Sequence, residues 1–97
     1  MSYRLEWLRE AEVTFAQNLD YLSLEWSDKG FNRFLDDVEQ ILSGIKQNPF
    51  IHPLESGNIR KAIVNKRISI YYHILDDATI EILMFWNSYR NPDDLKF

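Results

Sequence analysis

The sequence predicts an α+β domain built as a strand, an antiparallel two-helix hairpin and then a three-stranded antiparallel meander. Three observations carry this prediction. Apolar residues recur with a period of two at the start of the chain, with helical spacing through its first half, and with a period of two again in its second half. Turn-forming residues fall where the period changes. The 97 residues are 45% hydrophobic with only three Gly and three Pro, a composition that supports one globular core. A single domain over residues 1–97 is expected.

Residues 3–7 place Tyr3, Leu5 and Trp7 on one side and Arg4 and Glu6 on the other, as a strand with one buried face does. From Arg9 the period lengthens. Ala11, Phe15, Leu19, Leu22 and Trp26 recur every three or four residues and so share one helix face, with Glu10 and Glu12 in the first turn, where the helix dipole favours acids. Ser27-Asp28-Lys29-Gly30 breaks the pattern and offers cap residues. Phe31, Phe34, Leu35, Val38, Ile41, Leu42 and Ile45 then mark a second amphipathic helix, which Asn48-Pro49 ends. Gly44 inside it costs about 1 kcal/mol relative to Ala.

Residues 49–57 read as loop, punctuated by Pro53 and Gly57. Strands follow over residues 59–64, 68–75 and 79–86, with turns at Asn65-Lys66-Arg67 and Asp76-Asp77. In the middle strand Ile68, Ile70, Tyr72 and Ile74 share one face, and Ser69, Tyr71 and His73 the other. In the last strand Ile80, Ile82, Met84 and Trp86 alternate with Glu81, Leu83 and Phe85. Both of its faces are largely apolar, which predicts a place inside the sheet. Residues 87–97 are polar, contain Pro92 and are expected to end loosely.

Cysteine is absent, so disulfides, zinc–thiolate sites and thiol nucleophiles are excluded, and a reducing cytoplasm is the expected compartment. No run of 18–20 apolar residues suggests a membrane span, and the start of the chain lacks the pattern of a signal peptide. Motifs for phosphate loops, zinc proteases, nucleophile elbows and calcium loops are missing. His52 and His73 stand alone without obvious carboxylate partners, and structural roles are expected for both. Asp36-Asp37 falls on the polar side of a helix and Asp76-Asp77 in a turn, so neither pair indicates a metal. No cofactor is expected.

The net charge of −4 argues against non-specific coating of nucleic acid, which needs an excess of cations. Its distribution is uneven. Residues 56–75 carry Arg60, Lys61, Lys66 and Arg67 and no acid, a net of +4, whereas residues 1–55 carry −5 and residues 76–97 carry −3. Exposed cations also protect hairpins and sheet edges. The candidate functional set is Arg60, Lys61, Lys66, Arg67, Tyr71, His73, Tyr89 and Arg90, which neighbouring strands can gather. Alternation sends Arg60 and Ala62 one way and Lys61 and Ile63 the other, so the cations cannot all join one patch. Such a cluster suits an acidic peptide, phosphates or RNA.

These residues resemble the RelE/ParE superfamily of bacterial type II toxins, which includes plasmid stabilisation proteins. The resemblance covers nearly the whole chain. It rests on Ala11, Phe15 and Tyr21, on Phe34-Leu35 and Asn48-Pro49, and on Gly57-Asn58-Ile59-Arg60-Lys61. It continues through Ile70-Tyr71-Tyr72-His73-Ile74, the apolar run of residues 80–86, and Trp86-Asn87-Ser88-Tyr89-Arg90-Asn91-Pro92. It implies a cytoplasmic toxin held in a hetero-oligomer by a cognate antitoxin from the adjacent gene, with DNA gyrase or the ribosome as target.

The RelE branch cleaves mRNA on the ribosome without a metal. Carried over, its site would fall on Arg60, Arg90, Tyr89 and His73. Two further basic positions of that pattern fall on Ala62 and Ser69, and a phosphate transition state lacks counter-charge without them. The ParE branch inhibits DNA gyrase and is not enzymatic. Its helix hairpin, the Ile59-Arg60-Lys61 strand and the basic ending with Pro92 have counterparts here, although Asn87, Tyr89 and Arg90 replace the usual His and paired Arg. The resemblance therefore favours a ParE-like gyrase inhibitor. The alternatives are the RelE-like endonuclease and a degenerate toxin that keeps only antitoxin binding. Contacts with target and antitoxin are expected at Arg60, Lys61, Lys66, Arg67, Tyr71, Tyr89 and Arg90.

Overall fold

Two helices pack against one face of a five-stranded mixed sheet in the computed structural model, which describes residues 3–90 and Leu95. The elements are β1 (Arg4–Trp7), α1 (Arg9–Glu25), α2 (Asp28–Gln47), β2 (Leu54–Ser56), β3 (Ile59–Ile63), β4 (Ile68–Ile74) and β5 (Thr79–Asn87). The strand order is β1-β5-β4-β3-β2. The first strand thus lies parallel to the last, with Leu5 beside Ile80 and Trp7 beside Ile82, while every other pairing is antiparallel. The predicted α+β class holds, and β5, apolar on both faces, sits inside the sheet.

Both helices use the faces their spacing marks. Ala11 and Leu22 of α1 and Phe34, Val38 and Ile45 of α2 are buried against Ala62, Ile68, Ile70, Tyr72, Ile80, Ile82 and Phe85. Each fully buried aliphatic or aromatic side chain contributes about 1.5–3 kcal/mol over an exposed one. Ser27 caps α2, its hydroxyl accepting from the Gly30 amide at 3.2 Å. The predicted break is shorter than its four residues: Asp28, Lys29 and Gly30 already belong to α2, because the Ser27 cap satisfies the first turn. Trp26 closes the corner edge-on to Phe34, ring centroids 6.2 Å apart.

Two strand details differ from the expectation. Four strands follow the helices, not three. Residues 54–56, read as loop, form the edge strand β2, which pairs Leu54 with Arg60 and Ser56 with Ile59. Its three residues are too few to show a period. In β5 the simple alternation fails after Ile82. Tyr72 pairs with Ile82 but Tyr71 pairs with Met84, so Leu83 is an extra residue, a bulge that flips everything beyond it. Phe85 consequently joins Ile80 and Ile82 in the core, and Trp86 takes the opposite face beside Ser69.

Beyond the bulge β1 has ended, and α1 takes over its edge. Thr14 Oγ1 accepts from the Phe85 amide at 2.9 Å and donates to the Glu10 carbonyl at 2.6 Å. Asn18 Nδ2 donates to the Phe85 carbonyl at 3.2 Å, and Asn18 Oδ1 accepts from Asn87 Nδ2 at 3.3 Å. Buried polar groups are costly without such partners. Among the described residues no helix is long and apolar enough to cross a membrane. The expected loose ending, with Asn91, Pro92 and Lys96, lies outside the described residues.

Candidate functional site

The core joins the helices to one face of the sheet only, leaving the other open. Strand register fixes what stands there. Ser69 lies between Ile63 and Trp86, Tyr71 between Lys61 and Met84, and His73 between Ile59 and Glu81. Below these rows the turn after β3 and the segment after β5 are tied together. The Ser88 amide donates to the Arg67 carbonyl at 2.6 Å, and Asn65 Oδ1 accepts from the amides of Arg67 and Ile68 at 2.8 and 2.9 Å. Asn87 Oδ1 accepts from the Tyr89 amide at 2.9 Å.

This frame sets three cations on aromatic rings. The Arg67 guanidinium lies 4.7 Å from the Tyr89 centroid, Arg90 5.1 Å from Trp86, and the Lys61 ammonium 5.9 Å from Tyr71. Such contacts hold a charged head in place while leaving it available to an anion. No carboxylate forms an ion pair with Lys61, Arg67 or Arg90 among the described residues, and Arg67 Nη1 is buried without a hydrogen-bond partner. The region can therefore receive carboxylates or phosphates.

The opposite end of the open face has different chemistry. His73 Nε2 lies 2.6 Å from Glu81 Oε1, with both side chains about four-fifths buried, and Asn58 Nδ2 stands 3.5 Å from His73 Nδ1. Leu8, Glu10, Ile59, Leu83 and Met84 line a groove of about 400 Å³ beside them. The sequence reading left His73 without a carboxylate partner. Register supplies one, since β4 and β5 place Glu81 directly opposite it.

Arg60 faces the helix side with Tyr72, its register partner. It donates to the His52 carbonyl at 2.7 Å and lies over the Phe50 ring at 5.3 Å. The Tyr72 hydroxyl donates to the Pro49 carbonyl at 2.7 Å, and burial pushes its pKa up to about 12 against the opposing pulls of Arg60 and the His52 backbone. His52 stands edge-on to Tyr72, and burial lowers its pKa. Asp76 Oδ1 accepts from the Ala78 amide at 2.8 Å, the turn role expected of it, and that bond chiefly lowers its pKa. Among the described residues no group of three or more His, Asp or Glu could hold a metal ion.

No family model matches the chain, and no curated protein matches it either. Solved structures do. The chromosomal ParDE toxin–antitoxin system of P. aeruginosa superposes with a TM-score of 0.71 at 16% identity, covering 89% of this chain and 96% of that one. The fold is that of the RelE/ParE toxins. A YoeB/ParE toxin from Agrobacterium tumefaciens gives 0.63 at 13% identity over 89% and 99% of the two chains, and the E. coli DinJ-YafQ toxin–antitoxin complex gives 0.61 at 11% over 90% and 93%.

Within this RelE/ParE fold the candidate residues divide into three groups. Lys61 and Tyr71 lie on the open face with Arg90 below them, and Arg67, Tyr89 and exposed Lys66 gather at the tied turn. His73 lies on the same face but four residues along β4 from Ser69, about 13 Å from the Trp86 row. Arg60 is on the other face. The sequence reading missed Trp86 as the ring under Arg90 because the bulge reverses its orientation, and it missed Glu81 because hairpin register was not specified.

Proposed function

We propose that this protein is the toxin of a type II toxin–antitoxin pair, neutralised by a cognate antitoxin, and that it acts by binding DNA gyrase. One observation carries the binding mode: the groups that RNA cleavage would need are dispersed. Arg60 is engaged behind the sheet by the His52 carbonyl, His73 sits about 13 Å from the Trp86–Arg90 end, and Ala62 and Ser69 supply no charge. What does converge is a rigid cationic surface of Lys61, Arg67 and Arg90 on aromatic rings, suited to an acidic segment of a protein. The ParDE likeness is in keeping with this reading.

The test is a gyrase supercoiling assay with purified protein. Inhibition is expected, with at least tenfold more Lys61→Ala/Arg90→Ala protein needed for the same effect. No inhibition at excess protein overturns the target. Growth arrest on expression, reversed by the neighbouring reading frame, tests the toxin role separately.

The His73–Glu81 pair favours a second reading, ribosome-dependent mRNA cleavage, because a carboxylate-held imidazole is a suitable general base. Primer extension on translating ribosomes separates the two. Codon-dependent cuts lost in His73→Gln and in Arg90→Ala would establish the nuclease and displace the gyrase reading.

A further inference from the structure

The open face of the sheet is charged at both ends, with opposite sign. Around the hairpin turn and the groove stand Asp76, Asp77, Glu81, Glu6 and Glu10, with only Arg4 and, when protonated, His73 to offset them. At the other end stand Lys61, Lys66, Arg67 and Arg90, with no acid paired to them among the described residues. Between the poles lies an apolar strip of Ile59, Ile63, Leu83 and Met84, continued by Leu8; Ile63 is 64% exposed and Leu8 37%. No helix covers this strip among the described residues.

A surface with an acidic end, an apolar middle and a basic end is complementary to itself when turned end for end. A two-fold axis lying across the strands at the interface brings the acidic pole of one copy onto the basic pole of the other, and strip onto strip. Both contacts are then attractive and equivalent, as a closed two-fold dimer requires. We infer that two copies of this chain associate face to face, strands antiparallel, through the open side of the sheet. The inference is independent of the toxin reading. It adds one consequence: the dimer covers Lys61 and Arg90, so any partner of that region competes with self-association.

The face is three to four strand spacings wide, about 15–20 Å, and its area falls short of the roughly 800 Å² per partner of a standard interface. The dimer is therefore expected to form in the micromolar range and to weaken with salt.

Sedimentation equilibrium of the full chain from 5 to about 500 μM, at low and high salt, tests this. Monomer–dimer exchange is expected, with a dissociation constant rising at least fivefold at high salt. Two pole reversals on exposed side chains sharpen the test: Glu10→Lys/Asp77→Lys and Lys66→Glu/Arg90→Glu. Each alone should be monomeric, because like charges meet at both contacts. Mixed one to one they should dimerise again, since both contacts become attractive. Circular dichroism of each variant establishes that it folds. A wild type that stays monomeric throughout at low salt overturns the inference and assigns the face to another molecule. A dimer in which neither reversal matters, or folded variants that fail to rescue each other on mixing, overturns this geometry.

Discussion

Thr14 and Phe85 lie 71 residues apart, yet the Thr14 hydroxyl accepts the Phe85 amide proton at 2.9 Å, deep in the interior. The bond joins the first helix to the last strand at the point where the bulge has deprived β5 of a neighbouring strand. A threonine side chain does there what a sixth strand would otherwise do.

Thr14→Val keeps the shape and removes the acceptor. The buried Phe85 amide then loses its partner, and a destabilisation of about 1–3 kcal/mol is expected from urea unfolding. Thr14→Ser keeps the oxygen and should recover more than half of that loss.

Glycine substitutions should have opposite signs at two positions. Gly44 lies inside α2 with no atom within 4 Å of an added Cβ, so Gly44→Ala should stabilise by up to about 1 kcal/mol. Gly57 turns the chain between β2 and β3 with φ of +57°, so Gly57→Ala should destabilise by about 1–2 kcal/mol although space is open there. Thermal melts of the two variants should move in opposite directions.

His52 makes stability depend on mild acid. Its pKa is lowered in the fold by burial, so below about 6.5 the unfolded chain takes up the proton first. Stability therefore falls as pH drops from 6.5 towards the folded value and then levels off for this group. His52→Phe keeps an edge-on ring for Tyr72 and should flatten that stretch of the urea-midpoint curve. Asp76 acts in a separate window: its lowered pKa gives stability present above 3.8 and lost as pH falls through the folded value.

Tyr72 sets the alkaline limit. With its phenol raised to about 12, the unfolded chain releases the proton first above pH 10, and stability falls between 10 and 12. Absorbance titration of the folded protein should show a late phenolate step that Tyr72→Phe removes. The same variant leaves the Pro49 carbonyl without its donor and should cost about 1 kcal/mol at neutral pH.

Periodicity made the two helices and the four longer strands legible because each buries a regular apolar stripe. It failed where regularity is broken. Three residues of β2 carry no period, and the bulge at Leu83 exchanges the faces of Met84, Phe85 and Trp86 without any mark in composition. Thr14 and Asn18 look like ordinary polar helix residues until their strand partners are placed. At the candidate site, alternation already separated Arg60 from Lys61, as the register does. Which rings lie beneath Arg67 and Arg90, and that Glu81 meets His73, depend on pairing across segments, which no local pattern encodes.

The parallel pairing of β1 with β5 also dictates when this protein can fold. Residues 4–7 are among the first made, and their partners 79–82 are among the last. A growing chain on the ribosome can form the helices early, since their contacts are local, but it holds β1 and the apolar sides of both helices unsatisfied until β5 emerges. Folding is thus deferred to the end of translation, and with it every surface that depends on β5, including the ring under Arg90. A molecule harmful to its own cell would in this way be harmless for nearly all of its synthesis.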